Sequence, residues 1–339
     1  MKTDPMQINI QKWSCVDKHN LKESIAAVSE DVIVSKDTRV FIKPNFTFPF
    51  FKKGVTTPPD LLRAVVEILI EKGAQVTIGE GGASLDVFDL DDSFKDHGVY
   101  DLQREYGIKV THLRDEEIVF KDFSSKESGR QVPLPKALIE DTDLFITLPV
   151  PKVHAMTTVS LAFKNQWGCI AARKRFLFHP CFNEIIAGIH KILPPQLVIC
   201  DGRYVLTDSG PMFGTMKDSG FLAVSNHIGA FDVAMCRLMG YDHMKIAHVR
   251  HMVKAGLAPE RFEDINCNAD PADFSPFKFR LKRTLQNYIA LAGFHSSLIT
   301  WFGYDSFASG LLHKILYAIK PNPLDVEVAE RNQSRRISP

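Results

Sequence analysis

Between Arg39 and Gly79 the chain reads strand, helix, strand, and that order constrains the fold more than any other feature. Arg39–Lys43 (RVFIK) is a short apolar run of the kind buried in a sheet, halted by Pro44 and Asn45. Thr56, Thr57 and Pro58 then open a helix, with threonine as the cap and proline in the first turn. Its body, LLRAVVEILIEKG, carries apolar residues at helical spacing and closes on a glycine. Gln75–Gly79 (QVTIG) is the next strand. A strand, helix and strand in this order make a right-handed βαβ unit with parallel pairing.

The same alternation continues. Ser93–Tyr106 reads as helix, Ile108–Leu113 as strand, and the polar, turn-rich Glu117–Pro135 as an irregular or antiparallel excursion. Asp143–Leu148 returns to a buried strand. A second α/β stretch holds a helix at Pro180–Leu193, strands at Leu197–Cys200 and Phe221–Ser225, and helices at Ile228–Met239 and His243–Gly256. From Pro271 the chain becomes aromatic and basic, with helical spacing in Tyr288–Trp301 and Leu311–Ile319. The expected fold is therefore α/β and two-lobed, with mostly parallel sheets flanked by helices and a helical C-terminal extension. The expected divisions are an N-terminal α/β lobe at 1–140, a second α/β lobe at 141–270 and the extension at 271–339.

Composition narrows the function classes. A net charge of +1 gives no reason to expect nucleic acid as a partner. Six scattered cysteines with no CxxC pair fit reduced thiols, and with a polar N-terminus they suggest a cytoplasmic location. No apolar run is long enough to span a bilayer.

Chemistry concentrates in Leu148–Gly168, LPVPKVHAMTTVSLAFKNQWG. This segment leaves a buried strand, delivers Lys152 and His154, and after a polar turn and an apolar helix-like run reaches Lys164 and Asn165. Sites in open α/β sheets lie beyond strand ends. Histidine serves there as base or ligand, and lysine as a point charge for an anion. The alternative is a loop with solvated lysines and a histidine that caps backbone groups.

Other strand ends offer further groups. Lys43 and Asn45, with Thr57 at the helix start, can hold an oxyanion, or they form a proline-directed turn. Gly79-Glu80-Gly81-Gly82 does not match GxGxxG, since Ser84 stands at the last glycine place, so a plain turn explains it as well as phosphate binding does. Asp201 ends a strand, and Asp208 opens a glycine–proline loop; both are candidate acids or loop-capping residues. Asp232 lies in an apolar helix and needs a partner if buried, Arg237 being the nearest in sequence. Arg173-Lys174-Arg175 reads as solvated surface or anion clamp, with His179 placed to close a pocket. His243, His248 and His251 lack zinc-protease spacing.

IKPNF, TTPPDLLRAVVEILIEKGAQVTIGEGG, ITLPVPKVHAMTTVSLAFKNQWG, ICDG with SGPMFG, and FDVAMCRLMG together resemble the family called domain of unknown function 362, over roughly Val40–Gly256. Its members often carry an appended ferredoxin module and are labelled uncharacterised iron–sulfur centre proteins. The cysteines of such a module are missing here, so no iron–sulfur cluster is expected in this chain. A more distant, topological likeness is to the nickel-pincer lactate racemase group, through Lys43-Pro44, Thr57-Pro58, His154 and Lys164.

The leading expectation is an enzyme acting on a small anionic metabolite in an inter-lobe cleft by acid–base or metal-assisted chemistry. His154, Lys152, Lys164 and Asp201 are the catalytic candidates, while Lys43, Asn45, Thr57, Asn165 and Asp208 are the substrate-binding ones. A divalent metal held by His154, Asp201 and Asp208 is an alternative use of the same groups. Two other readings stand beside it. One, implied only by the family's cluster-bearing members, is a redox protein working with a separately encoded iron–sulfur partner. The other is a non-catalytic binding, assembly or peripheral membrane protein using its C-terminal helices.

Overall fold

The computed structural model describes residues 5–29, 34–83, 87–123, 131–304, 306, 307, 309, 324, 326–329 and 331. In chain order the strands are β1 (Gln7–Lys12), β2 (Arg39–Lys43), β3 (Gln75–Glu80), β4 (Lys109–His112), β5 (Ile118–Asp122), β6 (Gln131–Pro135), β7 (Leu144–Thr147), β8 (Lys152–His154), β9 (Thr158–Ser160), β10 (Leu197–Asp201), β11 (Tyr204–Thr207), β12 (Thr215–Asp218), β13 (Phe221–Ser225) and β14 (Asn266–Cys267). The helices are α1 (Lys18–Ala26), α2 (Pro59–Glu71), α3 (Leu90–Asp96), α4 (Val99–Tyr106), α5 (Lys136–Glu140), α6 (Ala162–Asn165), α7 (Phe182–Ile192), α8 (Ile228–Leu238), α9 (Ala247–Lys254), α10 (Leu285–His295) and α11 (Ser297–Tyr304).

One large sheet organises the molecule, in the order β14-β1-β13-β10-β7-β2-β3-β4. Strands β10, β7, β2, β3 and β4 are mutually parallel, and β13 runs against both of its neighbours. The βαβ unit stands as its sequence implies, with Val40 opposite Val76 and Ile42 opposite Ile78. The α/β class is thus the one observed. Strand β7 lies between β2 and β10, so the stretches on either side of residue 140 share one sheet. Two isoleucine pairings bring this about: Ile42 meets Ile146 on one side, and Ile146 meets Leu197 on the other. Lys152 and His154 belong to a smaller sheet, β12-β11-β8-β9, rather than to a loop.

Alternation along the strands feeds two cores. Val40, Ile42, Leu144, Ile146, Leu197, Ile199, Leu222 and Val224 face α1, α2, α3 and α4. Phe41, Phe145, Val198, Cys200, Phe221 and Ala223 point the opposite way, toward α7, α8 and α9. A period of two on a strand buried on both faces leaves almost no polar position except at the strand ends. That is why Lys43, Glu80, Thr147 and Asp201 all appear at the last residue of β2, β3, β7 and β10. Their shared edge is where chemistry can collect.

Local departures from the sequence reading have physical causes. The helix expected over Ser93–Tyr106 breaks into α3 and α4 at Gly98, which adopts φ +72°. The run after the polar turn is first a strand: β8 and β9 pair as a hairpin, with Lys152 opposite Ser160. Thr57 does not cap α2, whose cap position is Pro58 with no side-chain bond. The excursion at Glu117–Pro135 is antiparallel, β5 against β6. In the C-terminal extension α10 and α11 divide at Ser296, and the helix expected at Leu311–Ile319 lies outside the described residues. Phe279 and Phe294 are buried as contacts, whereas Leu285 and Ile289 are exposed.

Candidate functional site

At the carboxyl edge of β2 and β3 is a cavity of about 360 Å³, whose lining includes Lys43, Asn45, Glu80, Lys164, Asn165, Arg175 and His179. Aromatic and sulfur-bearing walls come from Phe46, Trp167 and Met212. Lys43 and Glu80 end neighbouring parallel strands, so their side chains meet: Lys43 Nζ donates to Glu80 Oε2 at 2.6 Å. Glu80 is held further by the backbone N–H of Gly81 at 2.8 Å and of Phe46 at 3.3 Å. The Gly168 backbone closes over this pair. A Cβ there would lie 2.6 Å from Glu80 Oε1 and 2.8 Å from Lys43 Nζ.

The Pro44–Asn45 turn is fixed by a chain of hydrogen bonds. Asn165 Nδ2 donates to Thr147 Oγ1 at 2.8 Å and to the Pro44 carbonyl at 3.3 Å, and Gln166 Nε2 reaches the same threonine at 2.8 Å. The Asn45 N–H donates to Thr57 Oγ1, which in turn donates to the Leu148 carbonyl, both at 2.8 Å. Thr57 therefore ties the ends of β2 and β7 together; it does not line the cavity. Lys152 sits behind Asn45, fully buried, donating to Asn45 Oδ1 at 3.2 Å and to the Val55 carbonyl. Burial, reinforced by the nearby Lys164 charge, pushes Lys152 well below the ordinary lysine range.

Lys164 is different. It projects from the one-turn helix α6, whose start is capped by the buried Asp232 carboxylate accepting from Ala162 N at 2.9 Å and Phe163 N at 3.3 Å. Asp232 thus serves α6, and Arg237 pairs instead with Asp270. Among the described residues Lys164 has no hydrogen-bond or ion-pair partner, and burial lowers its pKa to about 8, with Arg175 adding repulsion. Arg175 donates to the carbonyls of Gly81 and Gly82, which anchors the turn after β3. His179 stacks on Trp167 at 5.5 Å. Burial, with the charges of Lys164 and Arg175, lowers its pKa to about 3. Three cations, Lys43, Lys164 and Arg175, thus face a single carboxylate, Glu80, across the cavity lining.

His154 is placed as a donor. Its Nδ1 accepts from the backbone N–H groups of Met156 at 3.1 Å and Thr157 at 3.4 Å. The neutral ring consequently carries its proton on Nε2. Burial, and then the Lys164 charge, keeps it well below the usual histidine range. His154 is not among the cavity-lining residues.

The two aspartates lie elsewhere. Asp201 is buried against Arg203 at 2.7 Å, and Arg203 also reaches Asp60 at 2.6 Å. Asp208, at φ +67°, pairs with Lys282 at 3.0 Å and pins the C-terminal segment. His154, Asp201 and Asp208 accordingly do not form a common metal site. Among the described residues no group of three or more histidine, cysteine, aspartate or glutamate side chains is placed to hold one. Of the candidate residues, Lys43, Asn45, Lys164 and Asn165 are together at the cavity, Lys152 backs Asn45, and His154 stands aside. Glu80 and Thr147 were not singled out by sequence reasoning; the strand-end rule that selected Lys43 applies equally to them.

Fold and cavity define an α/β protein with a cation-rich pocket at the carboxyl ends of its parallel strands. The chain belongs to the family described as a domain of unknown function (DUF362), whose model matches residues 40–237. That span includes the whole cavity lining and stops short of α10 and α11. A thylakoid-associated protein of Synechocystis is 25% identical over 238 residues, covering 68% of this chain and 72% of that protein. A crystal structure of a Thermotoga maritima protein aligns with a TM-score of 0.36 and 13% identity over 58% of this chain, which spans about half (53%) of that structure's length. No helix among the described residues is long and apolar enough to cross a membrane.

Proposed function

We propose that the chain is an enzyme acting on a small anionic metabolite held in the cavity at the ends of β2 and β3. The observation that carries this reading is the Lys164 ammonium, which lines the cavity without a carboxylate partner among the described residues. A half-buried cation left in this way is stabilised by an anion brought from solution. Lys43 is already matched by Glu80, and the Arg175 hydrogen bonds go to backbone, so Lys164 is the group with most to gain.

With a pKa near 8, Lys164 exchanges a proton close to neutral pH, as a general acid or base must. It takes the role that sequence suggested for His154, whose Nδ1 is committed to backbone. Asn45 supplies a fixed amide that Lys152 holds from behind as a positioning residue, while Asn165 spends its amide N–H groups on Thr147 and Pro44 and fixes the turn that carries Asn45. The apolar walls suit a substrate with a carbon body beside its charge. Neither a metal nor the racemase likeness is needed for this chemistry.

Turnover of a panel of small carboxylate and phosphate metabolites, followed by mass spectrometry, tests the reading. One or more should be converted by the wild-type chain and left intact by Lys164→Met. Conversion at equal rates by both would remove Lys164 from the mechanism.

A further inference from the structure

Helices α10 and α11 present an apolar surface that the rest of the described chain does not cover. Leu285 is 77% exposed, Leu298 72%, Ile289 65% and Trp301 49%, with Tyr288 and Phe302 also exposed. Most of the surface residues of a folded chain are not of this type, and a contiguous group of them marks a contact with something else. Only a narrow strip of the two helices faces inward: Gly293, Phe294 and Thr300 are buried. Phe294 fixes the pair to the body, packing 4.6 Å from the His179 ring and 5.4 Å from Phe182.

Charge distinguishes what the surface fits. From Pro276 to Tyr304 the sequence has four lysines and arginines, Lys278, Arg280, Lys282 and Arg283, and no aspartate or glutamate. Two of the four are used internally: Lys282 pairs with Asp208 at 3.0 Å, and Arg283 donates to the Ala155 carbonyl at 2.7 Å. Lys278 and Arg280 are exposed and make no ion pair among the described residues. Exposed bulky aliphatic and aromatic residues on α10 and α11, preceded in the chain by exposed cations and with no acid from Pro276 to Tyr304, match the composition of helices that lie in the interface of an anionic bilayer. Their lengths, 11 and 8 residues, suit lying on a bilayer and not crossing it.

We propose that α10 and α11 dock this protein onto an anionic lipid surface, with Leu285, Ile289, Leu298 and Trp301 entering the acyl boundary and Lys278 and Arg280 meeting headgroups. Because α10 is packed on the Arg175–Cys181 segment, docking holds one wall of the cation-rich cavity close to the bilayer. The proposal is independent of what the cavity binds.

Trp301 gives a direct readout, since Trp13 and Trp167 are only 3% and 6% exposed. The full-length protein is mixed with vesicles of equimolar phosphatidylglycerol and phosphatidylcholine, and separately with phosphatidylcholine alone. On the anionic vesicles it should co-float, shift its tryptophan emission to the blue, and lose acrylamide quenching; on the neutral ones recovery should fall by about tenfold. The Ile289→Ser/Leu298→Ser variant should melt as the wild type does and float poorly, and Lys278→Glu/Arg280→Glu should do the same. Absence of flotation, or equal flotation of the Ser variant, overturns the proposal. So does a Trp301 that acrylamide cannot reach in vesicle-free protein, because the face is then already covered by a second copy or by another part of the chain.

Discussion

Lys43 Nζ and Glu80 Oε2 lie 2.6 Å apart, buried at the ends of two adjacent parallel strands, and the floor of the cavity is built on that pair. Removing one partner of a buried ion pair leaves an uncompensated charge and costs about 3–5 kcal/mol, whereas replacing both by apolar residues costs far less. Glu80→Gln should therefore lower stability in urea denaturation by about that amount. Adding Lys43→Met to Glu80→Leu should recover much of it. A Glu80→Gln variant as stable as the wild type would show that the pair does not hold the cavity floor.

Gly168 is required by the same pair. A side chain there meets Glu80 Oε1 and Lys43 Nζ at under 3 Å, so the ion pair must shift along the cavity wall to admit it. Gly168→Ala should weaken anion binding and cost about 1 kcal/mol, the low end for an added methyl, because the atoms it displaces are side-chain ends that border the cavity. Gly240→Ala, with nothing near its Cβ, is the control for added volume, though its φ of +73° carries a strain of its own.

Lys164 should destabilise the empty protein. Its folded pKa of about 8 lies below the ordinary lysine value of 10.5, so between those pH values the unfolded chain holds a proton that the folded one has released. Stability attributable to this group therefore rises with pH across that window, and below pH 8 the half-buried ammonium is a net cost. Lys164→Met should raise stability at pH 7 by about 1–3 kcal/mol, with the gain fading above pH 10. Thermal or urea unfolding at pH 7 and pH 10 checks both the size and the direction.

Acid should act through buried histidines. Burial lowers His97 and His190 to about 4 and His179 and His248 to about 3, from the ordinary histidine value of 6.5. Below pH 6.5 the unfolded chain takes up protons that these rings refuse in the folded state, so stability falls as the pH drops from 6.5 toward 4. Each such histidine contributes a slope of up to about 1.4 kcal/mol per pH unit. Urea midpoints at pH 7, 6 and 5 should decline steeply, and His97→Gln should reduce the slope by one proton. A flat profile would show that these rings protonate in the native state.

The sheet was legible in the sequence because two-sided burial writes itself as continuous apolar runs. RVFIK, QVTIG and LVIC each became a strand within a residue of the expected limits. Lys43, Asn45, Lys164 and Asn165, all selected at or beyond strand ends, line one cavity. What could not be read is which neighbour each strand chooses. Placing β7 between β2 and β10 joins residues about a hundred positions apart, and no local pattern encodes that. Asp201 stood as a candidate acid or loop-capping residue; Arg203, two residues on, holds it at 2.7 Å, and only the approach of Asp60 from α2 to that arginine is long-range. For His154 the choice between base or ligand and backbone cap stayed open, because it depends on which nitrogen the Met156 and Thr157 N–H groups face.

Calorimetric titration with inorganic phosphate and with malonate is the sharpest test of Lys164-dependent anion binding by the cavity. At least one of the two should bind saturably at pH 7, more weakly above pH 8 as Lys164 loses its proton, and not at all to the folded Lys164→Met variant. Equal affinity in wild type and variant, or an affinity unchanged from pH 7 to pH 9, would contradict it.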